Sequence, residues 1–164
     1  METTSYTYME SPVGRLLLAG HDTGLSRVDF SERGGRAPRD GWHPAEAPFR
    51  EAIRQLTAYF EGRLRAFDFP VAPEGTPFQL AVWNALREIP YGETVSYAEM
   101  ARRMGQPRAV RAVGAANGRN PLPIVIPCHR LIGSDGRLTG YGGGLHVKEA
   151  LLALERRGRT SPRA

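Results

Sequence analysis

Three short segments near the N-terminus, Ser5–Met9, Arg15–Ala19 and Leu25–Phe30, either alternate polar with apolar residues or run apolar. Pro12-Val13-Gly14 and Asp22-Thr23-Gly24 separate them. The pattern predicts short antiparallel strands joined by tight turns. Residues 31–48 are rich in Gly, Pro and charge and predict a loop. Phe49, Ile53, Leu56 and Phe60 then recur at helical spacing, which predicts an amphipathic helix over 46–61 that stops at Gly62.

APEGTP, residues 72–77, reads as a boundary between two subdomains, and Thr76-Pro77 as a helix start with an N-cap oxygen followed by proline at the first helical position. Phe78, Val82, Leu86 and Ile89 give that helix its apolar stripe, and Pro90-Tyr91-Gly92 ends it. Residues 96–104 predict a second short helix, Gly105-Gln106-Pro107 a turn, and residues 108–117 a third helix closed by Gly118. This is the outline of a helix-turn-helix. Its second helix, RAVRAVGAAN, is nearly bald, with Arg only at 108 and 111. Bald helices permit close approach to a minor groove, but small residues also serve simply to pack two helices closely. Pro123–Ile126 predicts a short buried strand that delivers the tetrapeptide PCHR. Beyond it come the turn 133–136, a glycine-rich loop over 138–144 and a last helix over 145–157 with Val147, Leu151 and Leu154 on its apolar face. The tail GRTSPRA reads as disordered.

Charge sharpens this picture. Residues 1–100 carry 10 Arg against 14 Asp and Glu, whereas residues 101–164 carry 12 Arg and Lys against 3, a net of +9. Lys148 is the single lysine of the chain. Guanidinium groups suit phosphate, so the C-terminal part has the balance expected for a polyanion partner, although a solvated basic face would look the same. No stretch of the sequence has the apolar length to span a bilayer, and the N-terminus does not read as a signal peptide. One cysteine forms no internal disulfide and excludes a cysteine-rich zinc site, which together suggest a cytoplasmic protein. His21 and His43 lack cysteine partners and read as surface residues, so no metal is expected.

That cysteine, Cys128, is followed by His129 and Arg130. A lone cysteine is a small core side chain in most proteins, and a reagent only where a base or a positive charge assists it. Adjacent residues on a strand point to opposite faces, so a Cys128–His129 pair requires a turn at 127–130 or a relay through water. The residues alone leave both readings open.

NPLPIVIPCHRLIGSDGRLTGYGGGLHVKEALLALE, residues 120–155, resembles the active-site region of the O6-alkylguanine-DNA alkyltransferases, also called methylated-DNA–protein-cysteine methyltransferases. The likeness continues upstream through TPFQLAVWNALREIPYGETVSYAEMA and RAVRAVGAANGRN, and the first 70 or so residues resemble the family in length and strand pattern. The resemblance implies an α+β chain. A small ribonuclease H-like antiparallel-sheet subdomain would occupy residues 1–72. A mostly helical DNA-binding and alkyl-transfer domain, with the helix-turn-helix and a short active-site strand, would occupy 73–158, before a disordered tail at 159–164. It also implies the function: irreversible, single-turnover transfer of an alkyl group from O6 of guanine in duplex DNA to Cys128, by a monomer without cofactor or obligate protein partner.

Residue by residue, the resemblance makes Cys128 the nucleophile, His129 the base that takes its proton through a water, and Glu155 the residue that orients and stabilises the imidazolium. Asn120 would tie the recognition helix to the active-site turn, and the Tyr97 hydroxyl would donate to guanine N3. Leu131, Leu138 and Asn117 would line the pocket, and the backbone around Tyr141 and Gly142 would donate to O6. Arg111 would enter the base stack as the target rotates out. Ala112, Val113, Gly114 and Ala115 would lie along the minor groove, with Arg108, Arg119, Thr94 and Arg130 as further DNA contacts. Three rivals compete. Alkyltransferase-like modules, which flag lesions without repairing them, lack the cysteine. A plain helix-turn-helix regulator leaves PCHR and the glycine loop unexplained, and a Cys–His hydrolase needs an oxyanion hole for which the sequence carries no signal.

Overall fold

The computed structural model describes residues 3–30, 38–134, 136, 141 and 144–160. The chain divides between Glu74 and Gly75 into two compact units.

The first unit is built on a four-stranded sheet: β1 (Ser5–Met9), β2 (Leu16–His21), β3 (Gly24–Phe30) and β4 (His43–Pro44), in the order β3-β2-β1-β4. The pairs β1–β2 and β2–β3 are antiparallel, as the hairpin turns require, whereas β4 runs parallel to β1. β2 is an inner strand, paired along its length with β1 and β3, and Leu16, Leu17, Leu18 and Ala19 are all fully buried rather than alternating. At the far edge the backbone of Leu25 pairs with Pro70 and Ala72, covering β3.

Two expectations change here. Within the predicted loop, His43–Pro44 joins the sheet, and residues 47–49 form a 3-10 turn, so α1 (Arg50–Phe60) begins four residues late. Its buried face is Ala52, Gln55, Leu56, Ala58 and Tyr59, with Ile53 and Phe60 only half-buried. Gln55 is admitted because its amide is satisfied: Nε2 donates to Asp68 Oδ1, and Oε1 accepts from the Asp68 N–H at 3.0 Å. Gly62 does end the helix, at φ 77°.

The second unit opens with α2 (Pro77–Leu86). Thr76 and Gln79 form a complete capping box: Gln79 N–H donates to Thr76 Oγ1 at 3.1 Å and Thr76 N–H to Gln79 Oε1 at 3.0 Å. β5 (Val95–Ser96) runs into α3 (Tyr97–Arg103), which Ser96 caps by accepting from Glu99 N–H at 3.0 Å. A turn with Gly105 at φ 73° leads to α4 (Val110–Gly118), so Arg108 lies in the turn and not in the helix. α4 packs on both α2 and α3, and the Trp83 indole N–H donates to the Ala116 carbonyl at 2.9 Å.

Pro123–Ile126 is not the strand that its apolar run predicts. Ile126 N–H closes back on the Leu122 carbonyl at 2.8 Å, and Ile124 adopts φ 76°, a conformation that β-branched residues avoid. The short strand instead follows PCHR: β6 (Leu131–Ile132) pairs in parallel with β5. α5 (Leu145–Thr160) closes the unit and runs three residues past its expected end, through Gly158. Residues 161–164 of the expected tail, and Leu138 and Gly142 of the expected pocket, lie outside the described residues.

Candidate active site

The backbone at Cys128 is shaped by two consecutive turns. Pro127, at φ −77° and ψ 64°, forms an inverse γ-turn in which Cys128 N–H donates to the Ile126 carbonyl at 2.7 Å. Cys128–Arg130 then makes one 3-10 turn. Side chains on such a turn diverge by about 120° rather than 180°, so Cys128 and His129 both point into the unit, where both are buried.

Asn120, just past the end of α4, holds this segment. Its Nδ2 donates to the Ile126 carbonyl at 2.8 Å and its Oδ1 accepts from Leu122 N–H at 2.9 Å. Its side chain also draws the pKa of the Cys128 thiol down. Asn117, one turn earlier, is buried with Nδ2 3.5 Å from the Cys128 carbonyl. The end of α4 and the cysteine are thus joined by two amides.

His129, Arg130 and Glu155 form one buried cluster. His129 Nε2–H donates to Glu155 Oε2 at 2.7 Å, Arg130 Nε to Oε1 at 2.8 Å, Arg130 Nη2 to Oε2 at 3.0 Å, and the Gly92 backbone N–H to Oε1 at 3.2 Å. Burial alone would raise the Glu155 pKa, but the hydrogen bonds and charges of His129 and Arg130 outweigh it and hold the carboxyl well below the usual range. Burial pulls His129 down, more strongly than Glu155 pulls it up. A neutral ring with Nε2–H committed to a carboxylate carries its lone pair on Nδ1, and that buried nitrogen has no hydrogen-bond partner among the described residues. It is a base with one destination open.

The Cys128 thiol is 5% exposed, and burial pushes its pKa up to about 11, against the Asn120 side chain and the charge of Lys148. The resting sulfur is therefore a thiol. It ionises when its proton has somewhere to go, and the imidazole supplies that acceptor.

Two assignments from the sequence, Arg130 and Val113, need correction. Arg130 is buried in the Glu155 cluster, with Nη1 donating to the Ile89 carbonyl at 2.7 Å and its guanidinium over the Tyr91 ring, so it is not a DNA contact. Val113 is fully buried against the core and does not face a groove. Leu131, expected in the pocket wall, is buried in β6 directly after the Cys128–Arg130 turn. By contrast Arg111, Ala112, Ala115 and Arg119 form an exposed stripe on α4, with Gly114 half-buried against the Tyr97 ring. Arg108 and Thr94 are exposed, and Tyr97 and Tyr141 are half-buried.

Lys148 is a buried charge beside the candidate site that pattern reading misses. It is fully buried, and its Nζ donates to the Leu131 carbonyl at 2.7 Å. Burial lowers its pKa, and the nearby Cys128 acts in the opposite sense. A signal was present: Lys148, Leu151, Leu152 and Glu155 fall at i, i+3, i+4 and i+7, so two charged residues share the buried stripe of α5. Among the described residues no group of three His, Cys, Asp or Glu could hold a metal ion, and no helix is long and apolar enough to cross a membrane.

Known proteins carry the same architecture. Residues 77–157 match the DNA-binding domain of 6-O-methylguanine DNA methyltransferase, and residues 4–73 match its ribonuclease-like domain. A methylated-DNA–protein-cysteine methyltransferase of Methanosarcina acetivorans is 56% identical over 151 residues, covering 92% of this chain and 97% of that protein. One from Mycolicibacterium paratuberculosis is 51% identical, covering 93% and 92%. The crystal structure of Mycobacterium tuberculosis OGT in complex with DNA superposes with a TM-score of 0.88 at 49% identity, covering 94% of each chain.

Proposed function

The chain belongs to the 6-O-methylguanine DNA methyltransferase family, and from that premise we propose that it repairs DNA by moving an alkyl group from O6 of guanine to Cys128. The observation that carries this reading is the buried His129–Glu155 pair, whose unpartnered Nδ1 sits on the same 3-10 turn as the only cysteine.

The chemistry balances without a cofactor. The thiol proton moves to His129 Nδ1 through a water. The sulfur attacks the alkyl carbon in line; the S–C bond forms as the C–O6 bond breaks, and the electron pair stays on the purine. The Tyr97 hydroxyl, donating to guanine N3, helps the purine accept that charge. The product is a thioether, which is not a leaving group under these conditions, so each molecule acts once. The reducing cytoplasm suits an unpaired thiol.

A target inside a duplex has to be rotated out before it can reach a buried sulfur. The exposed stripe of α4 supports this step. Ala112 and Ala115 let the helix lie close to a minor groove, Arg111 projects from it toward the vacated stack, and Arg108, Arg119 and Thr94 meet the backbone. Such contacts read little sequence and weaken steeply with salt, which suits lesions scattered at random. The protein binds as a monomer.

The test is direct. The protein is incubated with duplex carrying O6-methylguanine and then weighed. A stable gain of one methylene mass on the peptide containing Cys128, absent in Cys128→Ala, is expected. Unchanged mass with tight binding would make the chain a lesion-flagging module instead.

A further inference from the structure

One buried carboxylate serves two side chains, Arg130 and His129. Arg130 grips both oxygens of Glu155, at 2.8 and 3.0 Å, and His129 shares one of them at 2.7 Å. The guanidinium is fixed on its remaining side by the Ile89 carbonyl at 2.7 Å and lies 5.8 Å from the Tyr91 ring centroid. Its side chain is 8% exposed, so it does not reach a phosphate from this position.

We propose that Arg130 is a positioning residue of the alkyl-transfer step: by sharing Glu155 it holds the imidazole of His129 in place as an uncharged base, ready for the thiol proton. This rests on the reading of Cys128 and His129 as the reacting pair. The physical argument concerns charge balance. A buried carboxylate facing only an imidazole favours the imidazolium, and a ring already charged cannot take a second proton from sulfur. A guanidinium keeps its charge at every pH of interest, so Arg130 cancels Glu155 before His129 is protonated. The ring is then oriented by the carboxylate without being charged by it.

The other groups around the pair act in known directions. On its own turn His129 has Cys128 and Arg130; from α5 it has Glu155 and Lys148, and Lys148 opposes protonation in the same sense as Arg130. Asn117 and Asn120, at the end of α4, are neutral amides directed at the cysteine. The turn before β5 contributes the Ile89 carbonyl, the Gly92 N–H and the Tyr91 ring, none of which adds a charge.

Two variants and one titration test the proposal. In Arg130→Met and Arg130→Gln the Glu155 charge falls undivided on His129. The pair then takes up its extra proton at higher pH, and the acid limb of the transfer rate moves upward by about one pH unit or more. The rate is followed with free O6-benzylguanine, which removes duplex binding from the measurement, and duplex affinity is measured separately by anisotropy. The expected result is a shifted limb with duplex affinity unchanged. A rate lowered equally at every pH would leave Arg130 a structural residue and overturn the proposal. Lost duplex affinity with an unaltered free-base reaction would overturn it in favour of a DNA contact. The wild-type protein gives an independent decision by NMR titration of the His129 imidazole. A neutral ring at pH 7 is expected, and a charged one refutes the proposal whether or not the variants fold. Should the wild type transfer no alkyl group, the alkyl-transfer reading fails, and the imidazole titration still decides the charge balance.

Discussion

Replacing Glu155 by glutamine keeps the volume of the side chain and removes its charge. The wild-type carboxylate is fully buried and, among the described residues, accepts from Arg130 twice and from His129 and Gly92 once each. An amide oxygen cannot serve all four donors, and Arg130 is left as a buried cation without a counter-charge, held by neutral groups such as the Ile89 carbonyl and the Tyr91 ring. Breaking a buried ion pair from one side costs about 3–5 kcal/mol. Whole domains are stable by about 5–15 kcal/mol, so the loss takes a large share of the margin. Urea unfolding at pH 7, followed by Trp83 fluorescence in a Trp42→Phe background, should show a midpoint lowered by roughly 1–4 M with the slope unchanged. The pH dependence has a definite sign. Because the folded Glu155 pKa lies below its unfolded value, its stabilisation is full above the unfolded pKa of about 4.3 and is lost as the pH falls below it. Glu155→Gln should lack that part of the acid sensitivity. The double variant Arg130→Met/Glu155→Gln should recover part of the loss, because no charge is then stranded. A cost below about 1 kcal/mol, or an acid profile identical to wild type, would refute the view of Glu155 as an ionised hub.

Other consequences are quickly checked. Arg111→Ala should slow repair of duplex substrate far more than reaction with free O6-benzylguanine, and equal losses on both would remove Arg111 from the extrusion step. Gly158→Ala should lower the melting temperature, although alanine normally favours a helix. An added Cβ would lie 2.2 Å from Tyr91 Oη and 3.0 Å from two ring carbons, a clash worth roughly 1–3 kcal/mol. A raised melting temperature would show that Tyr91 moves aside freely. Lys148→Met should slow alkylation of Cys128 by iodoacetamide, because the positive charge that draws the thiol pKa down is gone. An unchanged rate would separate Lys148 from the thiol.

Local chemistry made much of this protein legible. The hairpin turns, the Thr76 cap with Pro77, the Ser96 cap and the Gly62 stop depend on near neighbours, and each element stands where those neighbours put it. The PCHR motif with its glycine-rich sequel pointed to the family without any structure. What failed were readings taken from residue type alone, without the partners the fold supplies. Pro123–Ile126 looks like a strand because its residues favour strands, yet it bends back because Leu122 and Asn120 supply its hydrogen bonds. Arg130 looks like a phosphate ligand because it is an arginine in a basic half of the chain, yet a carboxylate 25 residues away claims it. The sequence by itself determined most of the elements and, through PCHR and its glycine-rich sequel, the family. Only the tertiary structure decided which charges are buried together, because electrostatic energy depends on separations and desolvation that are created when α5 returns to the active-site turn.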